Sequence, residues 1–141
     1  MEIIRRETDY AARALVQLAL TGPDRPLSAR AIAEAQGTPL DFTHKFLRAV
    51  SRVGMVTSSL GTRGGFTLAK APSEITLLDI MQATQGPVRI SNCVFDPSAC
   101  PRTATCTVTH RLASVQRDLE RVLSQTTLAD LIGERPGTTT P

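Results

Sequence analysis

A mainly α-helical fold with a small β-wing is predicted, organised as a winged helix-turn-helix domain followed by a long dimerisation helix. Three observations predict it. Two short amphipathic helices meet through a tight turn at Gly37. A glycine-rich hairpin pattern follows them directly. Near the C-terminus, Val108, Leu112, Val115, Leu119 and Val122 recur at 4-3-4-3 spacing, a heptad seam.

The 141 residues suffice for one domain and an arm, and 41% hydrophobic content allows a modest core. A chain of this size cannot house an enzyme with separate cofactor and substrate domains. Aromatics are only 4% and tryptophan is absent, so Leu, Val, Ile and Ala should build the core. The formal charge of +3 permits nucleic acid as a partner. No run of 18 apolar residues occurs, so no membrane span is expected. The start, Met-Glu-Ile-Ile-Arg-Arg, lacks a signal peptide's apolar core, and a cytoplasmic location is expected.

Taken in order, Thr8 is expected to cap a helix running to about Leu20, with Ala11, Leu15, Leu18 and Ala19 inward. Asp9 lies in its first turn, where a carboxylate favours the helix dipole. Ser28 caps a short helix, Ala29 to Gln36, which Gly37 closes. Thr38 is expected to cap the next helix, with Pro39 at its first position and Asp41 three residues on. That helix should bury Phe42, Phe46, Val50 and Val53 and end at Gly54. Such a pair forms a helix-turn-helix.

Residues 55–59 and 66–69 read as strands around the turn Leu60-Gly61-Thr62-Arg63-Gly64-Gly65. A hairpin so placed is a wing. Gly64 admits close backbone approach to phosphates, and Arg63 suits a minor groove. On the second helix, Asp41, Thr43, His44, Lys45 and Arg48 are expected to face outward. They mix hydroxyl, carboxylate and imidazole for base edges with cations for phosphates. With Ser28, Thr38 and Phe42 they make up the expected DNA face. A solvated helix surface would carry a similar mixture.

Thr76 and Asp79 form a capping box for a helix to Gln85, stapled by Ile75 and stopped by Gly86-Pro87. Leu78, Met81 and Ala83 are expected core. Val88-Arg89-Ile90 is a short extended piece. The seam helix follows Cys106, and Thr127 caps a last short helix ending near Ile132. Four regions result: the winged domain over 1–86, a cysteine loop over 87–106, the dimerisation and last helices over 107–132, and a disordered tail over 133–141. The seam fits a partner helix from a second subunit; packing on the chain's own winged domain is the competing reading.

All three cysteines lie in one loop: Cys93, Cys100 and Cys106, spaced C-x6-C-x5-C, with His110 four residues beyond. Thiolates so gathered can hold a soft metal or an iron–sulfur cluster. An odd count argues against a closed disulfide framework. A cluster-free thiol switch remains open. So does a structural zinc site, although paired C-x2-C spacing is absent. A redox enzyme is disfavoured, since no nucleotide-binding glycine motif has its strand–helix context.

Taken together, these stretches resemble the IscR, NsrR and RirA group of winged-helix regulators, over about residues 3–132. The resemblance rests on Thr8-Asp9-Tyr10-Ala11, Ile32-Ala33-Glu34, Phe46-Leu47-Arg48, Gly54-Met55-Val56, Gly64-Gly65-Phe66-Thr67-Leu68-Ala69, the cysteine triplet and Thr127-Leu128-Ala129-Asp130-Leu131. It implies a homodimeric repressor on a palindromic operator. It also implies an iron–sulfur cluster, 2Fe–2S or 4Fe–4S, on Cys93, Cys100 and Cys106, sensing nitric oxide, iron, oxygen or cluster status. Two fourth-ligand candidates follow. His110 stands one residue later than the histidine of the IscR-like pattern, and Asp9 matches an aspartate that some NsrR-like members supply from the other subunit. Leu60 stands where IscR-like members carry arginine.

Overall fold

The computed structural model describes residues 2–133; of the tail expected over 133–141, all but its first residue lies outside them. Seven α-helices and one two-stranded sheet are present among the described residues. Helix α1 spans Arg6–Thr21, α2 Ala29–Gln36 and α3 Leu40–Arg52. Strands β1, Val56–Ser59, and β2, Gly65–Leu68, pair antiparallel with Val56 opposite Leu68 and Ser59 opposite Gly65. Then come α4, Leu77–Gln85; α5, Asn92–Phe95; α6, Thr107–Gln125; and α7, Leu128–Gly133. Gly133 therefore ends a helix rather than starting the expected tail.

One apolar face of α1 organises the main core. Ala11, Ala14, Leu15 and Leu18 are buried there, with Ile32 of α2, Phe46, Leu47 and Val50 of α3, Ile80 of α4 and Leu128 of α7. Burying each such Leu or Ile side chain contributes roughly 1.5–3 kcal/mol. The alanines let neighbouring helices come close. Helix α4 serves two cores, because consecutive residues lie about 100° apart around a helix. Ile80 points into the main core. Met81 points into a smaller one with Val88 and Leu123, flanked by Leu77, Leu78 and Leu119.

Local signals mostly act where they were read. Ser28 Oγ accepts from Ala31 N at 3.1 Å, and Gly37 adopts φ +64°, the left-handed closure. Thr76 and Asp79 bond reciprocally, at 3.1 and 3.0 Å. Thr127 and Asp130 repeat that box at 3.2 and 2.8 Å.

Several expectations need correction. Thr8 is not a cap: α1 starts three residues earlier than expected, with Arg5 at the cap position, and Thr8 is buried. Its hydroxyl lies 2.6 Å from that of Thr84 and donates to Gln85 Oε1 at 2.7 Å, so a long-range partner outweighs the capping preference. Thr38 does not cap α3 either, because Pro39 holds that position. The Thr38 hydroxyl lies 2.7 Å from that of Thr43. Thr43 is itself fully buried, with its hydroxyl donating to Pro39 O at 3.1 Å. Thr43 thus faces inward, not outward. Val53, expected in the core, is 48% exposed because α3 ends one residue before it.

Strand β1 starts one residue later than expected, and β2 lies one residue earlier at both ends. The hairpin is also anchored: Leu27 and Phe66 exchange backbone bonds of 3.0 and 2.8 Å, joining the α1–α2 connection to β2. The cysteine loop contains α5 and a 3-10 turn over Pro97–Ala99. Helix α7 returns to the main core. Leu77 N donates to Thr126 O and Leu128 N to Ile75 O, both at 2.8 Å.

Candidate nucleic-acid interface and cysteine site

Helix α3 lies with Phe46, Leu47 and Val50 against α1, which turns Asp41, His44, Lys45 and Arg48 to solvent. Arg52 is exposed as well; Asp41, Lys45, Arg48 and Arg52 follow one another at 4-3-4 spacing along one face. Sequence reasoning missed Arg52, although that spacing was legible. Phe42 is half-buried at the core edge, edge-on to Tyr10 and Phe46 with ring centroids 5.9 and 6.0 Å away. Lys45 Nζ reaches Glu7 Oε2 at 3.3 Å while the lysine stays exposed. A surface pair of this kind is worth little, so the cation remains free to exchange partners.

Leu60 and Arg63 are exposed at the wing tip. Gly64 is required for the chain's own sake. A Cβ there would collide with the backbone of Ser59 and Leu60, and Gly64 N donates to Gly61 O at 3.0 Å. The tight turn, rather than approach to a phosphate, explains this glycine.

The cysteines are all free and half-exposed. Cys93 sits in the first turn of α5 and Cys106 at the cap position of α6. Thr109 of α6, three residues after Cys106, reaches back to Cys93. Its hydroxyl donates to Cys93 Sγ at 3.5 Å, and Ser91 Oγ lies 3.0 Å from the same sulfur. Hydrogen bonds from Ser91 and then Thr109 hold the Cys93 thiol below its ordinary range, against a smaller upward push from burial and from Cys106. Cys106 is lowered by the Thr109 side chain and then its backbone N–H. Donors that favour the charged form lower a thiol's pKa and raise its thiolate fraction. Sequence reasoning missed Thr109; its place three residues after a capping cysteine was the available signal.

Cys100 follows the 3-10 turn, with its carbonyl accepting from Thr103 N and Oγ1 at 3.2 and 2.8 Å. Among the described residues, no three His, Cys, Asp or Glu side chains stand close enough to share a metal ion. Asp9 is instead bonded to Arg13 on its own helix at 3.1 Å. His110 is exposed on the first turn of α6. Three accessible sulfurs, two of them disposed toward thiolate, are a donor set that fits a soft, thiophilic centre.

A family model described as "Rrf2: Iron-dependent Transcriptional regulator" matches residues 4–134. The chain belongs to the Rrf2 family. Protein rrf2 of Nitratidesulfovibrio vulgaris is 31% identical over 123 residues, covering 87% of this chain and 82% of that one. Among solved structures, CymR of B. subtilis, described as the global cysteine regulator, is 25% identical. It covers 94% of this chain and 97% of its own at a TM-score of 0.71. The T. potens IscR structure shares the fold, with a TM-score of 0.74 at 24% identity over 98% of this chain and 93% of that one. This Rrf2 protein is a DNA-binding transcriptional regulator, not an enzyme, and its helix pair and hairpin are a winged helix. No described helix is long and apolar enough to cross a membrane.

The Thr109 hydroxyl beside these thiols gives a measurable signature. In reduced, metal-free protein, alkylation of Cys93 and Cys106 should persist to lower pH than for an ordinary thiol. Thr109→Val should move both profiles toward alkaline pH, as followed for each cysteine by peptide mass spectrometry. Profiles unchanged by that substitution would remove Thr109 from the site.

Proposed function

We propose that this regulator is a homodimer that binds a palindromic operator, and that an iron–sulfur cluster on Cys93, Cys100 and Cys106 controls its affinity. The observation that carries the reading is the bond from Thr109, at the start of α6, to Cys93 of α5, which brings Cys93 to the helix that Cys106 caps. Thiolates are the cluster-binding form, and Cys100 shares the same short segment. When bound, the cluster supplies a centre that reacts with, or is lost to, nitric oxide, oxygen or iron depletion. The chain's part is to bring its sulfurs together and to supply a fourth ligand, for which Asp9 of a second subunit and His110 are the candidates. Gathering the sulfurs orders residues 91–106 and so fixes how α6 leaves them. The effect on DNA is set by the difference in cluster affinity between the two dimer shapes.

The dimer reading draws support from α6. Gln116, Leu119 and Leu123 turn toward the chain's own smaller core. Val108, Val115 and Val122 remain 62%, 49% and 53% exposed, one valine every seventh residue. Leu119 of the expected seam is thus shared with the chain's own packing, and the valine stripe with Leu112 is left for a partner. Replacing Val115 and Val122 together with Asp should give a folded monomer with little operator affinity, because two unpaired charges would enter an apolar contact. A dimer persisting in size-exclusion chromatography would rule the stripe out.

On DNA, two copies of α3 should enter successive major grooves about 34 Å apart, with each wing beside the flanking minor groove. Asp41 and His44 then choose bases while Lys45, Arg48 and Arg63 hold phosphates or the groove; Ser28 and Thr38 flank them. Lys45→Ala and Arg48→Ala should each weaken binding to every sequence alike and lower the salt slope by roughly 0.9 per lost phosphate contact. Sequence-dependent losses in a binding titration would reassign those residues.

A cluster-free reading, in which Cys93 and Cys106 join as a regulatory disulfide, is favoured by the same packing of α5 on the start of α6. Protein purified without oxygen decides between them. The cluster reading requires a visible chromophore that Cys100→Ala abolishes, together with altered operator affinity and an intact dimer. A colourless parent whose affinity still responds to oxidation would select the disulfide.

A further inference from the structure

Gln116 is a buried amide in the smaller core, and its hydrogen bonds account for it. Nε2 donates to Val88 O and to Glu120 Oε1, each at 2.7 Å. Oε1 accepts from Ile90 N at 3.0 Å. The side chain therefore pairs with both polar edges of the backbone that runs into Cys93, fixing that segment against the middle of α6.

A second glutamine grips the other side of Gly86-Pro87. Gln85 Nε2 donates to Ile3 O at 2.8 Å, while its Oε1 accepts from Arg5 N at 3.0 Å and Thr8 Oγ1 at 2.7 Å. Those residues enter α1, which packs against α3 and carries Glu7, the partner of Lys45. Buried amides cost stability unless fully bonded, and an aliphatic side chain would fill the same space at no such risk. What the amides provide is register: an apolar contact tolerates sliding, whereas a donor and an acceptor each bonded to a set backbone atom, as Gln116 is to Val88 O and Ile90 N, do not.

We propose that Gln116 is the positioning residue that transmits the state of the cysteine segment to the DNA-binding face, with Gln85 carrying the displacement across Gly86-Pro87 to α1. The proposal rests on the reading that the cysteines control operator affinity. Cys93 lies three residues beyond Ile90, so a change at the sulfurs pulls on a backbone that cannot slip along α6. Without the clasp the same change is absorbed locally.

The test compares parent and Gln116→Leu protein, each purified without oxygen, and each again after iron chelation and carbamidomethylation of all three cysteines. Operator affinity is measured for all four. The parent should shift by at least about five-fold between its two states. In Gln116→Leu the shift should approach one-fold with the dimer intact, and Gln116→Glu, which keeps the acceptor for Ile90 but not the donor for Val88, should fall between. A merely structural role would lower the melting temperature and both affinities together, leaving their ratio unchanged. A parent that shifts beside a Gln116→Leu protein that shifts equally overturns this proposal alone. A parent that does not shift overturns control by the cysteines, and this proposal with it. Hydrogen exchange supplies an independent arm: the Ile90 amide should exchange slowly in the parent and fast in Gln116→Leu, and an unprotected Ile90 in the parent would mean that the clasp does not form. Should Gln116→Leu fail to fold, Gln85→Leu interrupts the same link from the other side and must also reduce the ratio.

Discussion

The close packing of α1 against several neighbours at once is the constraint on which the rest of the molecule depends. Its buried face must meet α3, α4, α7 and the base of the wing together. Ala11 and Ala14 keep that face shallow, and Leu15 and Leu18 fill what remains. Interiors are packed as densely as organic crystals, so a helix held on several sides has one seating. The exposed face that α3 presents, the placement of the hairpin through Leu27 and Phe66, and the seating of α4 all follow from it.

The elements most legible in the sequence were those whose causes are local. Ser28, Gly37, Thr76 with Asp79, and Thr127 with Asp130 act within a few residues of themselves, and each marks a helix boundary that the structure keeps. Thr8 and Thr38 carry the same chemistry and mislead, because their hydroxyls found partners at Thr84, Gln85 and Thr43. Side-chain oxygens choose by geometry, and a partner 76 residues away has no signature in a local window.

The candidate site divides along the same line. That Cys93, Cys100 and Cys106 share one segment is a fact of spacing. That Cys93 is brought to Thr109, one turn into the helix that Cys106 caps, depends on how α5 folds back onto α6, which spacing does not encode. The 4-3-4-3 pattern on α6 was a real apolar periodicity, but one stripe of side chains can serve two surfaces. Periodicity locates a face; it does not say which neighbour lies on it. Only the burial of Leu123 and Gln116 beside the exposure of Val108, Val115 and Val122 separates the inner surface from the outer.

The return of α7 to the main core also bears on how the protein is made. Leu128 is fully buried beside residues of α1, and the backbone bonds from Leu128 N to Ile75 O and from Leu77 N to Thr126 O join the middle of the chain to its last described helix. During synthesis the winged segment emerges well before that last helix. Its core stays open along one side until residue 128 is clear of the ribosome, and contacts of such sequence separation close late. A partly made chain therefore carries a recognition helix without the wall that holds it in place. Termination before residue 128 leaves the core beside α1 open on the side that Leu128 fills.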